Sequence, residues 1–291
     1  MAASDRPDPE PFEVVGADGT VLRGDSFGQG GKAAILLHGG GQSRSAWRGA
    51  ARRLAQAGYR AVAMDLRGHG ASDWSAGGNY SFDDYADDLA RTIDLAGGRA
   101  VLVGASLGGH VSVVTAARHP AKVTALALAD VTPWIDEGEI GTDIRAAMRR
   151  MGEGVSSLDE AAELVARLRG DVPRSDVSGL RKHLRQRADG RWYWLWDPAY
   201  LTEENLSHGG EGGLFVAEAR RLQCPLLVMR AECSTVTTPQ QVDQFRAAIP
   251  WLRNVVIAGA GHMVTGDVND AYANEILPFL ASLDSQTKDM P

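Results

Sequence analysis

A serine hydroxyl, an imidazole and a carboxylate can together make a nucleophile, and this 291-residue chain carries all three next to apolar runs and glycine-rich turns. Ser106 lies in Gly104-Ala105-Ser106-Leu107-Gly108, after the apolar run at 100–103. Glycines two residues on either side suit a sharp strand-to-helix turn, where backbone and helix approach too closely for side chains. The serine oxygen is then presented at the end of a strand. A hydroxyl attacks poorly at neutral pH, so it needs a base, and the base needs an acid to orient it. The expected base is His262, in Gly261-His262-Met263 after the last apolar run. The other six histidines fit other roles. His38 and His69 sit in glycine-rich turns where structural hydrogen bonding is expected. His110 lies within the helix after Ser106, His119 ends it, and His183 and His208 fall in a charged middle stretch.

Two carboxylates compete for the acid. Asp130 closes the run at 123–129, and Glu232 follows the run at 226–229. Asp130 would equally suit a cap for the turn at Thr132-Pro133. Charge developing on a carbonyl oxygen needs N–H donors already in place. The backbone amide of Leu107 is one candidate, and Gly40 in His38-Gly39-Gly40-Gly41 is the other. No lysine follows that loop, so it does not read as a phosphate cradle. No cofactor or metal is expected.

These residues must be held by something, and the pattern of runs says what. Apolar segments at 33–37, 61–64, 101–103, 123–129, 226–229 and 255–258 read as buried strands. Helical patterns at 45–57, 82–95, 107–118, 239–249 and 269–283 alternate with them. The alternation predicts an α/β fold with a mostly parallel, doubly wound sheet, in which ligands meet the carboxyl ends of the strands. Segments 12–15 and 20–23 flank Asp18-Gly19 and read as a leading hairpin. The rhythm stops in the middle. Residues 133–221 read as an inserted helical cap, with helices at 143–151, 157–168 and 177–187, between core parts 1–132 and 222–291. Three of the seven tryptophans fall in 191–198. Trp134, Trp192, Trp194 and Met263 are the candidates for a substrate pocket, most of the cap's rings being expected to form its own core. Residues 285–291 read as a frayed tail.

Composition excludes several classes. Charged residues make up 23% and the formal net charge is −7, which argues against a nucleic-acid partner. No segment offers the ~20 consecutive apolar residues of a membrane span, and the first residues lack the basic and apolar regions of a secretory signal. Cys224 and Cys233 flank one predicted strand, too far apart for a disulfide. Sparse cysteine use suits a reducing compartment, so a cytoplasmic protein with a small-molecule substrate is expected. The oligomeric state is not readable.

Together these motifs resemble the α/β-hydrolase fold superfamily, over nearly the whole chain outside 133–221. The carriers are His38-Gly39-Gly40-Gly41, Asp65-Leu66-Arg67-Gly68-His69-Gly70-Ala71-Ser72-Asp73, the Ser106 turn and Gly261-His262. The Asp65–Asp73 segment is similar to that of the lid-bearing esterase, epoxide-hydrolase and haloperoxidase-like branch. The resemblance implies bracing roles for Arg67 and His69. It also implies an aspartate after the 226–229 strand, where this chain has Ser234. Some relatives carry the acid after the preceding strand instead, which favours Asp130 over Glu232. A serine rather than an aspartate nucleophile implies acyl chemistry: hydrolysis of small to medium apolar acyl or aryl esters, or of lactones. Perhydrolysis or haloperoxidase activity, C–C cleavage and acyl transfer would use the same three residues. The missing aspartate leaves a non-catalytic ligand-binding receptor open as well.

Overall fold

The computed structural model describes residues 8–134, 139–169, 176–202, 205, 213–262 and 268–288. Its strands are β1 (Glu10–Val15), β2 (Val21–Phe27), β3 (Lys32–Leu37), β4 (Tyr59–Met64), β5 (Ala100–Ala105), β6 (Val123–Ala129), β7 (Leu184–Gln186), β8 (Trp192–Trp194), β9 (Leu226–Ala231) and β10 (Arg253–Ile257). Eight of them form one sheet in the order β1-β2-β4-β3-β5-β6-β9-β10. The β1–β2 hairpin is antiparallel and joins β4 antiparallel, while every pairing from β4 to β10 is parallel. Parallel strands are joined by crossovers that cover both faces of the sheet, so their side chains are apolar on both sides.

The helices are α1 (Arg48–Gln56), α2 (Phe82–Ala96), α3 (Leu107–Arg118), α4 (Glu139–Gly152), α5 (Leu158–Arg169), α6 (Gly213–Ala219), α7 (Pro239–Ala248) and α8 (Val268–Lys288). Alternate strand residues feed two cores. Ile35, Leu102 and Leu128 pack with Tyr85 and Ile93 of α2 and Val111 and Val114 of α3. Leu36, Val103 and Ala127 pack on the other face with Leu54 of α1 and Tyr272 and Ile276 of α8. Capping boxes start α2 at Ser81 with Asp84 and α7 at Thr238 with Gln241, each closing two otherwise orphaned donors. Helix α3 has no such cap and starts directly on Ser106.

The segment between β6 and β9 holds α4, α5, α6 and the β7–β8 hairpin. Here the expected helix at 177–187 is corrected. Residues Ser178–His183 form a 3₁₀ turn, and Leu184 pairs across to Trp194. The cause is local: Asp189-Gly190, with Gly190 at φ 78°, reverses the chain and lines up the two short strands. The expected frayed tail at 285–291 is corrected for residues 285–288, which continue α8; residues 289–291 lie outside the described residues. Backbone bonds tie the inserted segment to the 65–73 loop, Gly70 N–H donating to Leu195 O at 2.6 Å and Asp197 N–H to Gly68 O at 2.8 Å. The Tyr80 hydroxyl adds a bond to Asp197 Oδ2 at 2.5 Å. Among the described residues no helix is long and apolar enough to cross a membrane.

Candidate active site

Parallel strands end on the same rim, and the sequence candidates follow from that. Ala105 and Ala129 are paired in register on β5 and β6, so Ser106 and Asp130 are the next residues on adjacent strands. Gly39–Gly41 follow β3, the neighbour of β5 on its other side. His262 comes after β10.

Ser106 has φ 46° and ψ −116°, a left-handed backbone that a non-glycine residue adopts only under strain. The surrounding glycines hold it there. A Cβ on Gly108 would stand 2.5 Å from Leu37 O, and one on Gly104 would run into the Gly108 carbonyl. Gly108 N–H donates to His38 O at 3.1 Å, which fastens the turn to the loop after β3. Gly39 lies against Ser106: a Cβ on it would be 3.4 Å from that of the serine. Among the described residues neither the Gly40 nor the Leu107 N–H has an acceptor. Leu107 is the first residue of α3, where helical N–H groups have no partner within the helix.

Asp130 is also left-handed, at φ 49°, a conformation that aspartate tolerates better than most residues. Its carboxylate is fully buried and fully used. Oδ1 accepts from Ala231 N–H at 2.9 Å, and Oδ2 from the Ser234 hydroxyl at 2.5 Å and His262 Nδ1 at 2.6 Å. Ser234 Oγ in turn accepts from the N–H groups of Val236 and Thr237. The His262 side chain keeps 23% of its exposure. With Nδ1–H given to Asp130, its Nε2 carries the free lone pair that a base requires. Glu232, the competing carboxylate, instead accepts from Gly259 N–H at 2.9 Å and braces the turn before His262.

His38, His110 and the Asp65–Asp73 motif residues are held in internal contacts. His38 donates Nδ1–H to Gly39 O at 2.8 Å and accepts Leu66 N–H at Nε2, and burial pushes its pKa down to about 4. Burial brings His69 to about 3 and, with His262 nearby, His110 to about 4. Arg67 is buried and holds Asp88 through two bonds, at 2.6 and 2.9 Å, with Asp18 at 3.1 Å. Asp65 accepts from Arg44 N–H at 2.6 Å and Ala71 N–H at 2.9 Å.

The pocket candidates are scattered by contrast. Trp134 packs on Phe245, its ring centroid 5.8 Å away. Trp192 lies under the Arg181 guanidinium, and Trp194 is buried opposite Leu184. Met263 lies outside the described residues. The side chains that meet Gly40 and Gly41 are Met148, Trp196 and Tyr200, which the sequence reading passed over. Of the three only Trp196 lies in the aromatic run at 191–198, and the direction of its ring is not readable there; Met148 and Tyr200 carry no such signal. Among the described residues no group of three His, Cys, Asp or Glu side chains stands together as metal ligands would. Cys224 and Cys233 are both free thiols.

A strained serine turn at the carboxyl rim of a parallel sheet, beside a buried carboxylate that holds a histidine, is an arrangement suited to a hydrolytic enzyme. The chain belongs to the alpha/beta hydrolase family, whose sequence model matches residues 34–275. It is 30% identical over 275 residues to the esterase Rv0045c of Mycobacterium tuberculosis, covering 92% of this chain and 88% of that one. It is 31% identical over 224 residues to the 2-(acetamidomethylene)succinate hydrolase of Mesorhizobium japonicum, covering 76% of this chain and 74% of that one. A solved E-2-(acetamidomethylene)succinate hydrolase superposes with a TM-score of 0.79 at 27% identity, over 94% of this chain and 99% of the other. The M. tuberculosis esterase structure gives 0.73 at 26%, over 95% and 93%. The protein is an α/β-hydrolase enzyme of esterase-like type.

Proposed function

We propose that this enzyme hydrolyses carboxylic esters of small to medium apolar acyl or aryl groups through an acyl-enzyme on Ser106. The observation that carries this is the 2.6 Å bond from His262 Nδ1 to the buried Asp130 carboxylate on the rim that bears the strained serine. Ser106 Oγ attacks the carbonyl carbon and passes its proton to His262 Nε2. The N–H groups of Leu107 and Gly40 hold the oxygen as it becomes negative. Asp130 stabilises the imidazolium, with its own charge spread over the bonds from Ala231 and Ser234. The carbon–oxygen bond of the ester then breaks, and the leaving alcohol takes the proton from His262. Water attacks the acyl-enzyme by the same route, returning the acid and the free serine.

Asp130 as the acid explains why no aspartate is needed at Ser234. The serine there donates to the acid instead of replacing it. The two relatives named as an esterase and as a succinate-derivative hydrolase support reaction at an acyl carbon. The test is hydrolysis of p-nitrophenyl butyrate. The native enzyme is expected to release a burst of p-nitrophenol, and Ser106→Ala to lose at least about 10³-fold in kcat. Undiminished turnover in Ser106→Ala would refute the proposal.

A further inference from the structure

The loop that carries Gly40 is covered by three side chains, and two of them hold polar atoms without a proper partner. Trp196 is 2% exposed and its indole N–H is buried with no acceptor among the described residues. A buried donor is nearly always paired, so an orphan one marks a place where an acceptor belongs. The Tyr200 hydroxyl, also buried, reaches among the described residues only the thioether of Met148 at 3.5 Å, a weak acceptor. The two rings meet edge to face, with centroids 5.4 Å apart.

Each polar atom lies beside one of two adjacent glycines. The place where a Cβ of residue 40 would stand is 3.1 Å from the Tyr200 oxygen. For residue 41 it is 3.7 Å from Trp196 Nε1. The Met148 methyl group lies over both, at 3.7 and 3.1 Å. Methionine has three rotatable side-chain bonds and gives way more easily than either ring. The His69 ring packs on Tyr200 at a tilt of 53°, centroids 4.9 Å apart, and burial keeps it neutral. None of these four side chains carries a charge, so a carboxylate would be left without a cation beside it.

We propose that Trp196 and Tyr200 form a subsite for a second, uncharged acceptor oxygen of the substrate, a keto, amide or ether oxygen, reached when Met148 turns aside. This rests on the ester-hydrolase reading and narrows its substrate class. Successive Cα atoms are about 3.8 Å apart, so an acyl carbon whose oxygen lies at Gly40 and a carbon whose acceptor oxygen lies beside Gly41 are joined by about two to four bonds. Apolar esters fit the site but leave the indole N–H unpaired.

The test compares p-nitrophenyl 4-oxopentanoate and 5-oxohexanoate with their isosteres, the 4-methylpentanoate and 5-methylhexanoate. Each kcat/KM is divided by the ester's hydroxide-catalysed rate constant. One of the oxo esters is expected to be preferred about tenfold, the ordinary effect of one hydrogen bond in a closed site. Trp196→Phe, which keeps a ring and removes the N–H, is expected to bring the ratio close to one. A ratio does not depend on the concentration of folded enzyme; if Trp196→Phe does not fold, Tyr200→Phe reads the same preference and should reduce it. Hydrolysis without the preference, or a preference that survives the substitution, overturns the subsite and leaves the hydrolase reading standing. Absence of hydrolysis of all four esters overturns both.

Discussion

The two sides of the candidate site are built differently. The rim at the ends of β3, β5, β6 and β9 is held by backbone. Ser106 and Asp130 are fixed by register and by left-handed turns, and the Asp130 carboxylate is pinned by Ala231 N–H and Ser234. The opposite side comes from the segment between β6 and β9, where Met148, Trp196 and Tyr200 reach the glycine loop through side chains. That segment is joined to the core at points that include Gly70 to Leu195, Asp197 to Gly68, Tyr80 to Asp197, and the Arg118–Glu218 ion pair. Under the proposed function, the chemistry that needs placement to fractions of an ångström sits on the backbone-held side, and the surface that would choose a substrate sits on rotatable side chains.

The largest expected effect tests the backbone-held side. Asp130→Asn should lower kcat on p-nitrophenyl butyrate by about 10⁴-fold, because the amide favours the wrong imidazole tautomer. Its circular dichroism should stay native. Next is the loop that joins the two sides. Arg67→Met leaves Asp88 buried without its cation and should cost about 3–5 kcal/mol in urea unfolding. A loss below about 1 kcal/mol would show that the 65–73 loop is not braced as described.

A pH series reads the same loop more gently. His38 and His69 have folded pKa values lowered to about 4 and about 3, against about 6.5 when unfolded. The unfolded chain therefore takes up protons first. Stability should be flat above pH 7 and fall as pH drops from about 6.5 towards 4, by roughly 1 kcal/mol per pH unit for each histidine. A urea midpoint that rose over that range would contradict their burial as neutral rings. The smallest effect belongs to the carboxylate not chosen. Glu232→Gln should change kcat by less than about twofold, since the side chain is exposed and holds only Gly259 N–H.

What could be read from the sequence follows the same division. Strands such as Ile35–Leu37 and Leu126–Leu128 are apolar on both faces, and that alone predicts covered parallel strands. The serine turn was legible because Gly104 and Gly108 have no room for a side chain. Asp130 and Glu232 both follow strands, and only their partners separate them: His262 and Ser234 for one, a backbone amide for the other. Ser234 read as a missing acid, whereas it is the hydroxyl that supports one. In the inserted segment the reading was poorer. The charged run at 177–187 looked helical, although Asp189-Gly190 already marked the reversal that makes Leu184–Gln186 a strand. Trp192, Trp194 and Trp196 share one aromatic run, and the run does not reveal that Trp196 is the ring beside the glycine loop.

The central claim is that Ser106 is the nucleophile and that His262 on Asp130 activates it. A fluorophosphonate probe tests it directly, since it reacts with an activated serine and leaves a covalent mark. Peptide mapping of the labelled protein should place the adduct on Ser106 alone, with the labelling rate reduced at least about 10³-fold in His262→Ala. An adduct on another serine such as Ser234, or labelling of Ser106 at an undiminished rate without His262, would contradict the account.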